Sequence, residues 1–384
     1  MSKLDELIAE LCPDGVEYVK LSSICDIKRG ERVTKSQLIE DGIYPVFSGG
    51  VSPMGYFNKF NREENTITIA QYGTAGYVNW IDEKFWANDV CYSLFPKEVI
   101  NKRYLYFVLV NLQDYIYTLR IDAVPAHLPV DRLGNIKIPL PPLAVQQEIV
   151  RILDNFTELT AELTAELTAR RKQYEYYRDL LLTFGDEVPR VAIDDLFNIR
   201  NGYTPSKSNK EYWENGVIPW FRMEDIRENG RILSNALQYV SINAVKGRPF
   251  PANSIIISTS ATIGEHALIQ TEFLANQRFT ILSLKNEYQD ANIKYLFYYC
   301  YILGEWCKNN LTLGHFASVD MVAFKKFRIP LPPLKEQERI VAILDRFDAL
   351  CNDLTSGIPA EIEARQKQYE YYRDKLLSFK EVKA

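Results

Sequence analysis

The spacing of apolar residues predicts two long amphipathic helices in this chain. In the first, apolar positions recur every three or four residues, with one extra four-residue step that makes a stutter in a heptad stripe. They are Ile149, Ile152, Phe156, Leu159, Leu163, Leu167, Tyr174, Tyr177, Leu181 and Phe184. Because so long a helix with a single apolar face is not stable alone in water, the pattern also predicts a partner helix.

The second stripe, near the end of the chain, supplies that partner. Its apolar positions are Ile340, Ile343, Phe347, Leu350, Leu354, Ile362, Tyr369, Tyr372, Leu376 and Phe379. Gly357 and Pro359 predict a kink or interruption, because proline removes a helical hydrogen bond and clashes with the preceding turn. We expect antiparallel pairing of the two helices with approximate two-fold symmetry. The alternative is that each helix packs on its own domain.

The chain is internally duplicated. IPLPPL occurs at residues 138–143 and again at 329–334, and KQYEYYRD occurs at 172–179 and again at 367–374. The segments before these repeats match more faintly: the dipeptide Ala87-Asn88 recurs as Ala275-Asn276, an offset of 275 − 87 = 188. Two globular regions with one fold and divergent surfaces are therefore predicted.

These repeats predict an α+β protein of two mixed α/β domains separated by two long, paired, antiparallel coiled-coil-like helices. We expect the first domain at 1–142 and the central helix at 143–185. The second domain is expected at 186–333, and the C-terminal helix at 334–384 with its kink near 357–359. With 384 residues, 47% apolar and 25% charged, the composition is ordinary for a globular protein.

Charge and cysteine usage narrow the class of protein. The net charge of −5 argues against a free-standing basic DNA binder, unless partners supply phosphate contacts or basic residues face one way. The six cysteines form no CxxC pair, so neither zinc nor disulfides are expected. The N-terminal region lacks an apolar signal core, and no run of about 18 apolar residues predicts a membrane span. A cytoplasmic protein fits these features best.

Motifs for catalysis are missing from the sequence. There is no GxxxxGK[ST] phosphate loop and no GxGxxG after a predicted strand. There is also no Asn- or Asp-Pro-Pro-aromatic element, since both Pro-Pro pairs are followed by leucine. We therefore expect a non-catalytic chain that holds no cofactor and no metal of its own.

Several motifs resemble the specificity subunit of type I restriction-modification systems. PLPPL followed by Gln146-Gln147-Glu148 in one copy and by Lys335-Glu336-Gln337 in the other is similar to the family signature PLPPLxEQxxI. Residues 157–169, TELTAELTAELTA, resemble the TAEL repeats that some members carry in their central spacer. The second domain opens with residues 202–206, GYTPS, and 218–220, IPW, and resembles one family recognition domain. The first, with 73–78, GTAGYV, and Phe85-Trp86, resembles another subtype.

This resemblance implies a function. Each domain is expected to be a target recognition domain that reads half of a split site in double-stranded DNA. The helices are expected to fix the spacing and dock two methylation subunits, which carry the S-adenosylmethionine chemistry. Restriction subunits are expected to join them and form an ATP- and Mg-dependent nuclease, and no membrane partner is expected.

Polar side chains in comparable stretches of the two domains are candidates for DNA contact, because base edges and phosphates are bound by such groups. In the first domain they are Lys28, Arg29, Arg32, Lys35, Gln71, Tyr72 and Thr74. In the second they are Ser206, Lys207, Arg222, Arg227, Arg231, Thr259, Ser260 and Thr262. Ordinary surface charge is the alternative explanation of each.

Two other functions are consistent with the residues. One is a stand-alone DNA-binding or regulatory protein with the same duplicated fold. The other is an enzyme with an unrecognised active site, against which the missing motifs argue.

Overall fold

The computed structural model describes residues 2–312, 317–353 and 356–382. The chain divides into two compact units, Met1–Glu162 with Glu363–Ala384 and Leu163–Ile362. This division differs from the domain boundaries expected from the repeats. Each unit combines one globular region with part of the central helix and part of the C-terminal region.

The first globular region leads into the central helix. Its elements are α1 (Lys3–Leu11), β1 (Glu17–Lys20), α2 (Leu21–Ile24), β2 (Cys25–Arg29), β3 (Tyr44–Phe47), β4 (Tyr56–Phe57), β5 (Thr66–Ala70), β6 (Val78–Ile81), β7 (Trp86–Ala87), β8 (Cys91–Pro96), α3 (Lys102–Asn111), α4 (Gln113–Thr118), α5 (Val130–Gly134), β9 (Lys137–Leu140) and α6 (Leu143–Leu181). A 3₁₀ helix covers Lys35–Gln37.

The second globular region has a similar order with several added elements, and it ends in two helices. Its elements are β10 (Arg190–Ala192), α7 (Ile193–Leu196), β11 (Phe197–Asn201), β12 (Ile218–Phe221), α8 (Met223–Asn229), β13 (Ile232–Leu233), β14 (Tyr239–Val240), β15 (Ser254–Ser258), β16 (His266–Ile269), β17 (Leu274–Ala275), β18 (Phe279–Leu284), α9 (Ile293–Asn309), β19 (Leu311–Thr312), β20 (Ser318–Val319), α10 (Met321–Lys326), β21 (Arg328–Pro330), α11 (Leu334–Asn352) and α12 (Ile358–Leu376). Short 3₁₀ helices cover Lys210–Tyr212, Ile242–Ala244 and Asn286–Tyr288.

The two main sheets of each unit share their strand order, apart from one added strand in the second unit. In the first unit a sheet of order β2-β8-β5-β6 lies beside a smaller sheet, β4-β3-β7. In the second unit the corresponding orders are β11-β18-β15-β16-β13 and β14-β12-β17, so β13 is an added edge strand that pairs parallel with β16. The central strands β5 and β15 are buried along their whole length, as expected for a strand covered on both faces.

A buried glutamine fastens each long helix to its sheet domain. The Gln146 side chain accepts a hydrogen bond from the Asn101 backbone N–H (2.7 Å) and donates one to the Pro141 carbonyl (2.7 Å). Gln337, in the second copy, makes the equivalent bonds at 2.9 and 2.8 Å. Because Asn101 also caps α3, one amide joins the starts of two helices. Since an unpaired buried amide costs about 1–3 kcal/mol, the repeated glutamine has a structural role.

In the first unit, the start of α6 pairs with the end of α12. The rings of Phe156 and Tyr372 stack with centroids 5.5 Å apart. Further toward the sheet domain, the Tyr18 hydroxyl donates to the Phe379 carbonyl (3.0 Å), and the Val16 N–H donates to Lys380 (2.9 Å). Strand β1 pairs with β9, which directly precedes α6, so residues near 380 lie beside the start of α6. Further along α6, the contact at Phe156 is with the earlier residue Tyr372. The two helices are therefore antiparallel.

In the second unit, the end of α6 pairs with α11 in the same way. Tyr177 stacks on Phe347 with centroids 5.8 Å apart. Nearly two turns earlier on α6, the Arg171 guanidinium donates to the carbonyl of Cys351 (3.5 Å), which lies one turn after Phe347 on α11. The order is again antiparallel. The predicted α+β class, the duplication and the antiparallel helix pairing are confirmed.

The predicted apolar stripes differ in detail from the buried residues. Leu159, Tyr177 and Leu350 are exposed, whereas Leu163, Leu167, Ile152 and Ile343 are half-buried. Four positions that the stripes omitted are fully buried: Leu153, Leu182, Leu344 and Cys351. The predicted position Leu354 lies outside the described residues.

The break in the C-terminal region falls between α11 and α12. Helix α11 ends at Asn352, and α12 begins at Ile358 with Pro359 in its first turn, where a missing N–H leaves no helical bond unmade. A Cβ at Gly357 would meet the Ala349 carbonyl oxygen at 2.6 Å, so the close backbone approach requires glycine.

Candidate nucleic-acid interface

The predicted contacts of the first unit gather at one end of its larger sheet. Lys28 and Arg29 occupy the last two positions of β2, both exposed, with their cations 5.1 and 5.8 Å from the ring centroids of Phe95 and Tyr92. The exposed Arg32 and the exposed Lys35 follow them along the chain. Aromatic rings thus orient the two strand cations.

The loop after β5 lies at the same end of the sheet but contributes unevenly. Gln71 is only 3% exposed, and its carbonyl accepts the Leu128 N–H (2.9 Å), so it packs in the interior in this conformation. Tyr72 is half-buried and stacks on His127 with centroids 5.5 Å apart. Thr74 is exposed, and its hydroxyl donates to the Gly49 carbonyl (2.9 Å). DNA contact by these three residues stays a prediction.

The predicted serines and threonines of the second unit lie in two loops. Ser206 and Lys207 are exposed in the segment after β11. Thr259, Ser260 and Thr262 are half-buried in the loop after β15, where the Thr259 hydroxyl lies 3.0 Å from that of Thr280. Both loops adjoin the end of the β11–β18 ladder, as in the first unit.

The three predicted arginines of the second unit have different surroundings. The Arg231 guanidinium pairs with the Glu265 carboxylate (2.6 Å) and donates to the His266 carbonyl (3.0 Å), so it is held within the protein. Arg227 is exposed on α8. Arg222 directly follows β12 and lines a concave cavity of about 650 Å³.

This cavity contains residues that the sequence prediction did not name. Its walls include Trp213, Trp220, Lys210, Gln277 and Arg278. The Ala-Asn dipeptide that precedes Gln277 is repeated in the first domain. This repeat could have directed attention to Gln277 and Arg278, because it indicates a backbone structure common to the two copies. Aromatic walls with cations at the rim suit a nucleic acid more than an apolar ligand.

The strongly shifted ionisable groups have structural causes. Complete burial, with the nearby Arg231 charge, lowers the pKa of His266 to about 3, so this histidine is neutral at physiological pH. Hydrogen bonds from Arg151 and Lys3 lower the pKa of Glu148 to about 2. Burial raises the pKa of the Cys91 thiol to about 12, which disfavours the reactive thiolate. Within the described residues, no cluster of His, Cys, Asp and Glu is arranged to hold a metal ion.

The fold and this interface define a class: duplicated proteins with two matched sheet domains joined by paired helices. The profile of the type I restriction modification DNA specificity domain matches residues 13–170 and again 186–364. The chain belongs to this family, and its role is that of a DNA sequence-recognition subunit. Type I specificity subunits bind DNA and assemble with methylation and restriction subunits, and membership indicates a non-catalytic role.

The similarity to known relatives extends along almost the whole chain. The EcoR124I/EcoR124II specificity subunit of Escherichia coli is 36% identical over 415 residues, covering 99% of this chain and 97% of the relative. The EcoprrI specificity subunit of Escherichia coli is 60% identical over 206 residues, about half (51%) of each chain. The crystal structure of the S subunit from M. genitalium has the same fold, with a TM-score of 0.58 and 18% identity over 95% of this chain and 97% of that one. No helix among the described residues combines the length and apolarity needed to cross a membrane.

Proposed function

We propose that each sheet domain reads one half of a bipartite DNA target, and that the helices fix the spacing and dock two methylation subunits. The observation that carries this proposal is the contrast between the repeats: the helices keep an identical octapeptide while the domain loops diverge. Identical surfaces suit two copies of one partner, and unlike loops suit two different half-sites. The acidic net charge of −5 fits a chain whose partners supply much of the phosphate contact.

Modification mapping tests the reading of a split target. We expect a host that expresses the chain with its methylation subunits to carry methylated adenines in two short half-sites separated by a fixed gap. The isolated chain should bind the same DNA weakly and with strong salt dependence. A single continuous target, or tight specific binding by the chain alone, would contradict the proposal and favour a stand-alone regulator.

The repeated octapeptide offers a surface for the methylation subunits. Tyr176 and Tyr371 are 65% and 62% exposed, and each makes the same edge-on contact with the tyrosine that follows it (5.4 Å). The neighbours Tyr177 and Tyr372 face the helix pairs, so packing accounts for their identity. Packing within the chain does not account for two matched exposed tyrosines, whereas binding the same partner twice does.

Replacing both exposed tyrosines by alanine should therefore abolish loading of two methylation subunits. Exposed tyrosines that bind a partner often contribute about 2 kcal/mol or more, so affinity at each site should fall at least about 30-fold. Native mass spectrometry of the mixed subunits measures the stoichiometry. Each single variant should retain one subunit, and the control Tyr115→Ala, an exposed tyrosine outside the repeat, should retain two. Full loading of the double variant would exclude this surface.

The six cysteines are free and buried, which supports our proposal of a reducing, cytoplasmic location.

A further inference from the structure

Three segments in each sheet domain are held in one backbone arrangement, which we call the paired-loop frame. In the first domain it comprises residues 30–32, 47–49 and 87–90, and in the second 202–204, 221–223 and 275–278. The Asn88 N–H donates to the Phe47 carbonyl (2.8 Å), and the Asn276 N–H donates to Phe221 (3.0 Å). The frame is thus built by the same backbone bonds in both copies.

Glycine is required where this frame closes. A Cβ at Gly30 would lie 1.9 Å from the Ala87 carbonyl oxygen, and one at Gly202 would lie 2.3 Å from the Asn276 carbonyl oxygen. The residues next to these glycines bond across in the same way: Glu31 N–H to Ala87 (2.9 Å) and its counterpart in the second domain at 2.7 Å. Equivalent positions can therefore be assigned by hydrogen bonding, without an alignment of side chains.

The side chains at equivalent positions differ in chemistry. After the bonded phenylalanine, the first domain has Ser48 and the second has Arg222. After the bonded asparagine, the first domain has Asp89 and the second has Gln277. A hydroxyl and an acid in one copy thus stand where the other has a guanidinium and an amide. This divergence on an unchanged backbone is what a reading surface for two different half-sites needs.

Arg222 is placed to bind a ligand in the cavity. Its guanidinium lies over the Trp220 ring at 5.6 Å, and the Trp220 indole N–H is fixed by the Tyr203 carbonyl (3.1 Å). Trp213 packs edge-on against Trp220 at 5.0 Å, which makes the wall rigid. Among the described residues, the Arg222 Nε has no hydrogen-bond acceptor, and the Glu224 carboxylate is 3.9 Å away. The Arg222 side chain is 31% exposed and lines the cavity, so its outer guanidinium nitrogens can donate to a ligand bound there.

We propose that Arg222 reads a guanine in the half-site bound by the second domain, and that the paired-loop frame is where the two domains differ in base preference. This inference rests on the proposed function. Arginine forms two parallel hydrogen bonds to guanine O6 and N7, a pairing that no other base offers in the major groove. Gln277, which accepts the Thr204 hydroxyl at the same rim, supports the loop beside it. In the first domain the equivalent residue is Ser48, whose hydroxyl is a single donor and cannot form two parallel hydrogen bonds.

The test maps modified sites in hosts that express the full chain with its methylation subunits. The variants are Arg222→Ala, Arg222→Lys and the control Arg328→Ala. Arg328 is exposed and follows α10, where its guanidinium donates to the Arg190 carbonyl (2.8 Å) rather than lining the cavity. We expect Arg222→Ala to lower modification of guanine-containing targets roughly 5- to 150-fold relative to targets with another base at one position. The change should fall in one half-site only.

The lysine variant keeps the charge but loses the parallel pair of donors, so it should also relax that position, whereas Arg328→Ala should not. If the Arg222→Ala chain misfolds and modifies no target, the Arg222→Lys variant provides the test. Relaxation by neither variant, a uniform loss at all targets, or a wild-type target without guanine in either half-site would overturn the inference. A wild-type target without two half-sites would instead overturn the proposed function.

Discussion

Removal of residues 363–384 is expected to unfold much of the first domain while the second stays folded, although the deleted segment follows the second domain in the chain. Leu377 of this segment is buried in the first core, with 5% of its surface exposed. The Lys380 carbonyl accepts a hydrogen bond from the Val16 N–H (2.9 Å). The Arg373 guanidinium also donates to the Asn111 side chain (3.0 Å). Burial of a leucine alone contributes about 1.5–3 kcal/mol, so the whole segment should stabilise the first domain by at least about 5 kcal/mol.

Hydrogen exchange resolved by mass spectrometry measures this effect. Protection should fall in β1, β9 and α3 and persist in β15, β18 and α9. A matched pair of substitutions refines the result: Leu377→Ala should cost about 2–5 kcal/mol, whereas Leu350→Ala, at a 39% exposed position, should cost much less. Equal loss of protection in both domains would contradict the assignment of this segment to the first unit.

Deleting residues 164–167 from α6 should shorten the gap between the two half-sites by one or two base pairs and leave both half-sites unchanged. Four helical residues correspond to about 6 Å of rise and about 40° of rotation, and DNA rises roughly 3.4 Å per base pair. The segment is suited to the deletion because Leu167 lies only at the edge of the second core, and Thr164, Ala165 and Glu166 are exposed.

Mapping of methylated adenines for this deletion provides the measurement, and modification of the original target should be lost. Replacement of the same four residues by alanine keeps the helix length and should keep the original gap. An unchanged gap after the deletion, or a changed half-site, would show that α6 does not set the spacing.

Much of the fold was predictable because duplication and periodicity are local patterns. The repeated IPLPPL and the apolar steps of three and four predicted two matched domains and two paired helices, and the structure has both. The stripes erred at Leu153 because the buried face at the start of α6 is wider than one row of apolar positions. Leu153 enters the first core, while Phe156 stacks on Tyr372 of the partner helix. A single row of apolar positions does not include every residue of so wide a buried face.

The allocation of most of α12 to the first unit was not predictable, because it depends on contacts between residues more than 200 positions apart. The surroundings of polar side chains were equally hidden. Nothing in the sequence near Gln71 indicates that Leu128 closes over it, and nothing near Arg231 shows its pairing with Glu265. Gly73 and Ala261 occupy equivalent positions in the two copies, and both have positive φ (72° and 64°). The second copy thus has an alanine in a backbone conformation that favours glycine, which its sequence does not reveal.

The bridge between Val16 and Glu381 has a consequence for how such genes can change. Residues near 16 and near 381 are distant in the sequence but lie together in the first unit. If these two segments were joined and the chain were opened at another loop, we expect the contacts within each unit to be kept. Genes that begin translation at the other domain, or that exchange one domain by crossing over within the duplicated helix codons, would encode the same local packing with a new pair of reading surfaces.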